Sequence, residues 1–129
     1  MSSGLRESDV ARAVRDLLNI LVAQGRCYYH VSASSPMIGR EGAYRKGQVD
    51  IAGWFAISAD WVGIPEERYY LPFAWELKGP RGKTSLEQIA DMKAASDAGA
   101  TVAVIRSVDE ALAALRGMGI DLEQPQGRD

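Results

Sequence analysis

Apolar residues recur at helical spacing near the start of the chain. Val10, Val14, Leu17 and Leu21 are separated by four, three and four residues, and Ala13, Leu18, Ile20 and Val22 widen the stripe. This predicts a helix over Glu7–Gln24, with Arg12, Arg15, Asp16 and Asn19 on its polar side and Gly25 as a left-handed cap. The period then changes. Residues 27–32 (CYYHVS) alternate as a strand, with Tyr29 and Val31 on one face and Tyr28, His30 and Ser32 on the other. A loop over 33–47 carries three glycines and one proline, and residues 49–57 (VDIAGWFAI) form a second strand with Asp50 near its start. After a loop at 58–68, residues 69–78 read as a third strand in which Pro72 predicts an edge position or a bulge.

Gly79-Pro80-Arg81-Gly82 then turns the chain. Thr84 or Ser85 caps a helix reaching Ala98, because Thr84-x-x-Glu87 and Ser85-x-x-Gln88 both match a capping box. Gly99 closes that helix, residues 101–105 (TVAVI) form a short strand, and Ser107 or Asp109 begins a last helix. Its apolar positions are Val108, Ala111, Leu112 and Leu115, and it ends at Gly117 or Gly119. The order αβββαβα predicts an α/β fold, a small mixed sheet flanked by helices. The strand–helix–strand unit over 70–105 should form a parallel, right-handed crossover.

A chain of 129 residues with 47% hydrophobic and 25% charged residues suits one domain, with a core over about 7–117 and loose ends at 1–6 and 120–129. The formal charge of −2 supplies no bulk attraction to nucleic acid, so DNA binding would need cations gathered locally. Arg40, Arg45 and Lys46 gather before one strand, and Lys78, Arg81 and Lys83 after another; solvated loop charge is the alternative. Cys27 is the only cysteine, which excludes an internal disulfide, and its neighbours suggest a buried thiol. With His30 as the sole histidine, a structural zinc site is not expected. No apolar run approaches ~20 residues and the start lacks the order of a secretory signal, so no membrane span and a cytoplasmic location are expected.

The chemistry concentrates between Tyr70 and Gln88. Side chains alternate along a strand, so Glu76 and Lys78 share a face with Leu77 behind them. Asp50 enters an apolar strand, which is costly unless the charge is paired or bound to metal. If the two strands are neighbours, Asp50 and Glu76 converge on one Mg²⁺ or Mn²⁺, while Lys78 neutralises a phosphate or orients water. Gln88 either hydrogen-bonds water or phosphate or closes the capping box. Glu7 continues the buried stripe of the first helix and either reaches the sheet edge or serves the helix dipole. Gly79-Pro80-Arg81-Gly82-Lys83-Thr84 mimics a phosphate-binding P-loop, but two residues rather than four separate its glycines, so no nucleotide cofactor is expected. Cys27 and His30 point to opposite faces, which disfavours a Cys/His hydrolase. Trp54, Trp61 and Trp75 read as core or interface residues.

These motifs together resemble the VRR-NUC family, nucleases of the PD-(D/E)XK, restriction-endonuclease-like superfamily. The likeness runs through residues 47–53 (GQVDIAG), 75–78 (WELK), 82–88 (GKTSLEQ), 98–100 (AGA) and 104–110 (VIRSVDE). It covers roughly Glu7 to Leu115. The resemblance implies a restriction-endonuclease-like domain that cuts DNA, structure-specifically on branched substrates such as Holliday junctions, often as a homodimer, in bacteria or bacteriophages. It implies catalysis by Asp50, Glu76, Lys78 and Gln88, a metal set of Asp50, Glu76, Leu77 and Glu7, and DNA contacts from Arg40, Arg45, Lys46, Arg81 and Lys83. Val49 stands where the superfamily name has proline, and His30 where the family often has a basic residue. A non-catalytic DNA- or protein-binding module that keeps the fold is the alternative.

Overall fold

The computed structural model describes residues 6–32, 49–58 and 68–122. Among them the chain runs α1 (Glu7–Ala23), β1 (Cys27–Val31), β2 (Ile51–Ser58), β3 (Arg68–Leu77), α2 (Leu86–Asp97), β4 (Thr101–Ile105) and α3 (Val108–Gly117). The four strands form one mixed sheet in the order β1-β2-β3-β4. Antiparallel pairing joins β1 to β2 (Cys27 opposite Phe55) and β2 to β3 (Ile51 opposite Trp75). β3 and β4 run parallel, with Phe73 opposite Thr101, and α2 is the crossover between them. This is an α/β arrangement of three helices on a small mixed sheet.

The alternation of strand side chains divides the sheet cleanly. Odd-numbered residues (Cys27, Ile51, Phe55, Phe73, Trp75, Leu77 and Ile105) join Val10, Val14, Leu18 and Leu21 of α1 and Ala111 and Leu115 of α3 in one core. Phe55 and Phe73 stack there at 4.3 Å, and Trp75 meets Phe73 edge-on at 5.0 Å. Even-numbered residues line the other face, which α2 covers along β3 and β4. No residue of α2 is fully buried, so polar contacts to the sheet must do much of the work of holding it.

The helix signals are realised with small changes. Gly25, Gly99 and Gly119 take positive φ values of 73°, 108° and 86°, a region that costs glycine least. Ser85 rather than Thr84 caps α2, and Ser107 caps α3. The apolar face of α1 is narrower than expected: Ile20 and Val22, which flank the buried stripe of Val10, Val14, Leu17, Leu18 and Leu21 on either side, are exposed. β3 is an interior strand rather than an edge. Pro72 fits it because the β4 ladder begins one residue later at Phe73, so the missing N–H breaks no bond to β4. The tail expected to be loose from residue 120 is packed as far as Leu122. Ile120 is buried in the core, and buried Arg26 donates to the Asp121 carbonyl at 3.2 Å.

Among the described residues no helix is long and apolar enough to cross a membrane. Arg40, Arg45, Lys46 and Trp61 lie outside the described residues.

Candidate functional site

The register of β2 and β3 builds the site. Ile51 faces Trp75, so one step further along the ladder Asp50 lies across from Glu76, both on the even face. Ser32 extends the row on the β1 side, where its N–H donates to the Asp50 carbonyl at 2.8 Å. The Leu77 N–H donates to Asp50 Oδ2 at 2.8 Å, which pins this carboxylate between Glu76 and Lys78. Leu77 itself sends its side chain into the core, so only its main chain faces the site.

Glu76 is 1% exposed. Its Oε2 accepts a hydrogen bond from Gln88 Nε2 at 2.5 Å and lies 3.6 Å from Lys78 Nζ. Its Oε1 is buried with no hydrogen-bond partner among the described residues. Burial pushes the Glu76 carboxyl up to about 8; the charge of Asp50 pushes the same way, and Glu7 adds to it. The Lys78 ammonium opposes this shift and is outweighed. Two facing carboxylates, one of them buried with an unused oxygen, make a site that lacks positive charge.

Gln88 serves both roles that the sequence left open. Its Oε1 accepts the Ser85 N–H at 2.9 Å to close the capping box, and its Nε2 holds Glu76. Glu7 stands at the start of α1, where Asp9 rather than Glu7 accepts the Arg6 N–H at 3.1 Å. Glu7 shares with Asp50, Ser32 and Arg15 the lining of a cavity of about 260 Å³ between α1 and the end of the sheet. A larger, apolar cavity of about 370 Å³, lined by Ile57, Leu71 and Met118, lies at the opposite end of the strands.

Among the described residues no group of three or more His, Cys, Asp or Glu side chains is close enough together to hold a metal ion. Asp50 and Glu76 therefore come together without Glu7 completing a protein cage. Their hard oxygens suit a cation that keeps most of its waters, as Mg²⁺ does, rather than one needing a full set of side-chain ligands. The orphaned Glu76 Oε1 is the atom such an ion would satisfy.

Arg81 and Lys83 are exposed on the turn that follows Lys78. On the same even face Tyr28 and Trp54 are exposed with rings 4.8 Å apart, and His30 meets the Tyr28 ring edge-on at 5.0 Å. Trp75 is core. Cys27 is buried on the odd face, where desolvation pushes its thiol up to about 12, far from nucleophilic use.

Three supporting residues were not anticipated. Asp91 Oδ2 accepts the Val49 N–H at 3.0 Å and so ties α2 to the chain just ahead of Asp50. Its spacing of three from Gln88, which places both on one helix face, was the available signal. Arg106 Nη1 donates to the carbonyls of Gly79 at 3.0 Å and Gly82 at 2.7 Å. The Ser32 hydroxyl is buried beside Asp50 with no hydrogen-bond partner among the described residues. Nothing local in the sequence marks either of these two. Comparison with protein-family models, with curated proteins and with solved structures finds no match.

Proposed function

We propose that this protein is a metal-dependent endonuclease that hydrolyses phosphodiester bonds in DNA through Asp50, Glu76 and Lys78. One observation carries the proposal: two carboxylates face each other across β2 and β3, one with a buried oxygen unpartnered among the described residues, beside a lysine ammonium 3.6 Å away. Asp50 and Glu76 would hold Mg²⁺ or Mn²⁺, with Glu7 near enough to add negative charge. Bound there, the ion would polarise the scissile phosphate and lower the pKa of a water.

The chain's own groups have separate tasks. The Leu77 N–H and Gln88 amide fix the two carboxylates, so neither has to be ordered when substrate arrives. Lys78 places a positive charge where the phosphate gains negative charge during attack, or holds the attacking water. Arg81 and Lys83, exposed on the adjoining turn, meet backbone phosphates on either side of the cut.

The ordered motifs resemble those of VRR-NUC nucleases. On that likeness we take the fold as restriction-endonuclease-like, the substrate as branched DNA such as a Holliday junction, and the working unit as a homodimer. The setting would be the cytoplasm of a bacterium or phage-infected host. The test is cleavage of labelled four-way junction, flap, splayed-arm, linear duplex and single-stranded DNA with Mg²⁺, Mn²⁺ or EDTA, with Asp50→Asn alongside. Metal-dependent cutting that the variant loses is expected. Cutting by Asp50→Asn at the wild-type rate would overturn the assignment.

A second reading, a non-catalytic DNA- or protein-binding module, is favoured by the absence of a three-ligand group among the described residues. Calorimetry separates the two. A nuclease should show a Mg²⁺ or Mn²⁺ site that Glu76→Ala removes, and a binding module should show none.

A further inference from the structure

A lysine side chain has four rotatable bonds, so an ammonium that must stay beside a carboxylate pair needs its stem held. The Lys78 N–H is bonded to the Ile105 carbonyl at 3.0 Å, which fixes the backbone but not the stem. The stem is covered by the turn that follows it. A Cβ built on Gly82 would lie 3.1 Å from Lys78 Cδ and 3.3 Å from Lys78 Cβ, so the bare glycine rests on the lysine methylenes. The same turn touches α1 on its other side, where a Cβ on Gly79 would lie 3.2 Å from the Glu7 nitrogen.

One internal bond closes the turn, Gly82 N–H to the Gly79 carbonyl at 3.1 Å. The other fastening is Arg106, whose Nη1 donates to the Gly79 carbonyl and to the Gly82 carbonyl. Arg106 follows Ile105 directly, and its own N–H donates to Glu110 Oε1 at 2.7 Å, at the start of α3. It thus links the end of β4, which carries the Lys78 backbone, to the loop that carries the Lys78 stem. A guanidinium suits the task because it offers several donors in a fixed planar fork.

We propose that Arg106 is a positioning residue, which holds the Gly79–Gly82 turn closed on the Lys78 stem and thereby keeps the Lys78 ammonium at the Asp50–Glu76 pair. This rests on the role given to Lys78 above, and the test is built so that the two can fail separately.

The first measurement uses the full chain without metal and reads acetylation of individual lysines by peptide mass spectrometry. In the wild type, Lys78 should label about 10-fold or more slowly than exposed Lys83 and Lys93, given its burial under the turn. In Arg106→Gln, Lys78 should label several-fold faster while Lys83 and Lys93 keep their rates. Continued resistance of buried Cys27 to a thiol reagent shows in the same sample that the fold is intact. If Cys27 becomes reactive, Gly82→Ala carries the test instead, because its methyl crowds the Lys78 stem while the Gly82 carbonyl that Arg106 binds is kept. Unchanged Lys78 protection in an intact variant overturns the proposal.

The second measurement is cleavage. Arg106→Gln should lower kcat roughly 10- to 100-fold with KM unchanged, the scale expected for a reacting group displaced by about an ångström. Added to Lys78→Met it should cost nothing further, because both act through one ammonium. An equal loss in the Lys78→Met background overturns the positioning role. If the wild-type chain cuts nothing, the nuclease assignment fails, and the labelling result still decides whether Arg106 holds Lys78.

Discussion

Asp50 and Glu76 oppose each other across β2 and β3, and the Leu77 N–H holds Asp50 in place at 2.8 Å. Like charges directly opposite on a sheet destabilise it, so the pair lowers the stability of the metal-free fold once Glu76 ionises, above about pH 8. Asp50→Asn keeps an oxygen for the Leu77 N–H while removing that repulsion. It should stabilise the metal-free protein by about 1 kcal/mol above about pH 8, where Glu76 has lost its proton, and lower metal-dependent cleavage about 100-fold or more. Thermal melts in EDTA and cleavage rates, taken on the same preparation, check both. A variant less stable than wild type, its activity intact, would contradict the placement of these charges.

The same pair predicts how stability depends on pH. Burial and Asp50 raise the folded-state Glu76 carboxyl from 4.5 to about 8, so over that interval the folded chain holds a proton that the unfolded chain has released. Stability from this group is complete below about pH 4.5 and is lost as pH rises through about 8. The loss is on the order of a few kcal/mol. In EDTA, the melting temperature of the wild type should fall between pH 5 and pH 8 on this account, and Glu76→Gln should flatten the slope. Mg²⁺ or Mn²⁺ at the alkaline end should restore part of what is lost, since an ion that binds only the folded chain stabilises it. A wild type whose stability climbs steadily with pH would show that Glu76 is ionised throughout.

Much of the sheet and its helices could be read from periodicity, caps and glycines, because those signals are local. Asp50 and Glu76 stood out because charge in an apolar strand needs compensation. Their opposition was not readable. It depends on the β2–β3 register, and the nine residues between the strands, 59–67, are too many to fix it as a two-residue hairpin turn would. Arg106 escaped notice for a similar reason. Its partners at Gly79 and Gly82 lie more than twenty residues earlier and meet it only when β4 pairs with β3. Ile20 and Val22 show the reverse failure, since a helical pattern reports which positions are apolar and not which of them the fold covers.

Gln88 joins a helix cap to a buried carboxylate, and two substitutions separate these tasks. Gln88→Ala loses both the bond to the Ser85 N–H and the bond to Glu76, and should cost about 1–2 kcal/mol. Gln88→Glu keeps an acceptor for Ser85 but turns a donor to Glu76 into a third negative charge. Its cost should therefore shrink as pH falls and Glu76 takes up its proton, whereas the cost of Gln88→Ala should stay nearly level. Denaturant melts of both variants at pH 5 and pH 8 test this. Equal behaviour at the two values would remove Gln88 from the Glu76 environment.

Gly53 lies three residues along β2 from Asp50, where β1 and β2 approach too closely for a side chain. An added Cβ would fall 2.0 Å from the Tyr28 carbonyl oxygen and 2.6 Å from Tyr29 Cα, both backbone atoms that no rotamer change can move aside. Gly53→Ala must push β1 away from β2, and should destabilise the fold by about 1–3 kcal/mol. The consequence for function follows from the row that β1 shares with the site. Ser32, one residue past the end of β1, bonds the Asp50 carbonyl, so a displaced β1 pulls on the backbone beneath Asp50. Cleavage should fall even at temperatures where the variant is fully folded, and the Ser32 N–H should exchange faster with solvent. Gly25→Ala, at a positive φ with open space around it and at the opposite end of β1 from Ser32, should cost about 1 kcal/mol and leave the folded protein's cleavage rate unchanged. If the two variants lose activity only in proportion to their stability, β1 supports the fold and does not set the position of Asp50.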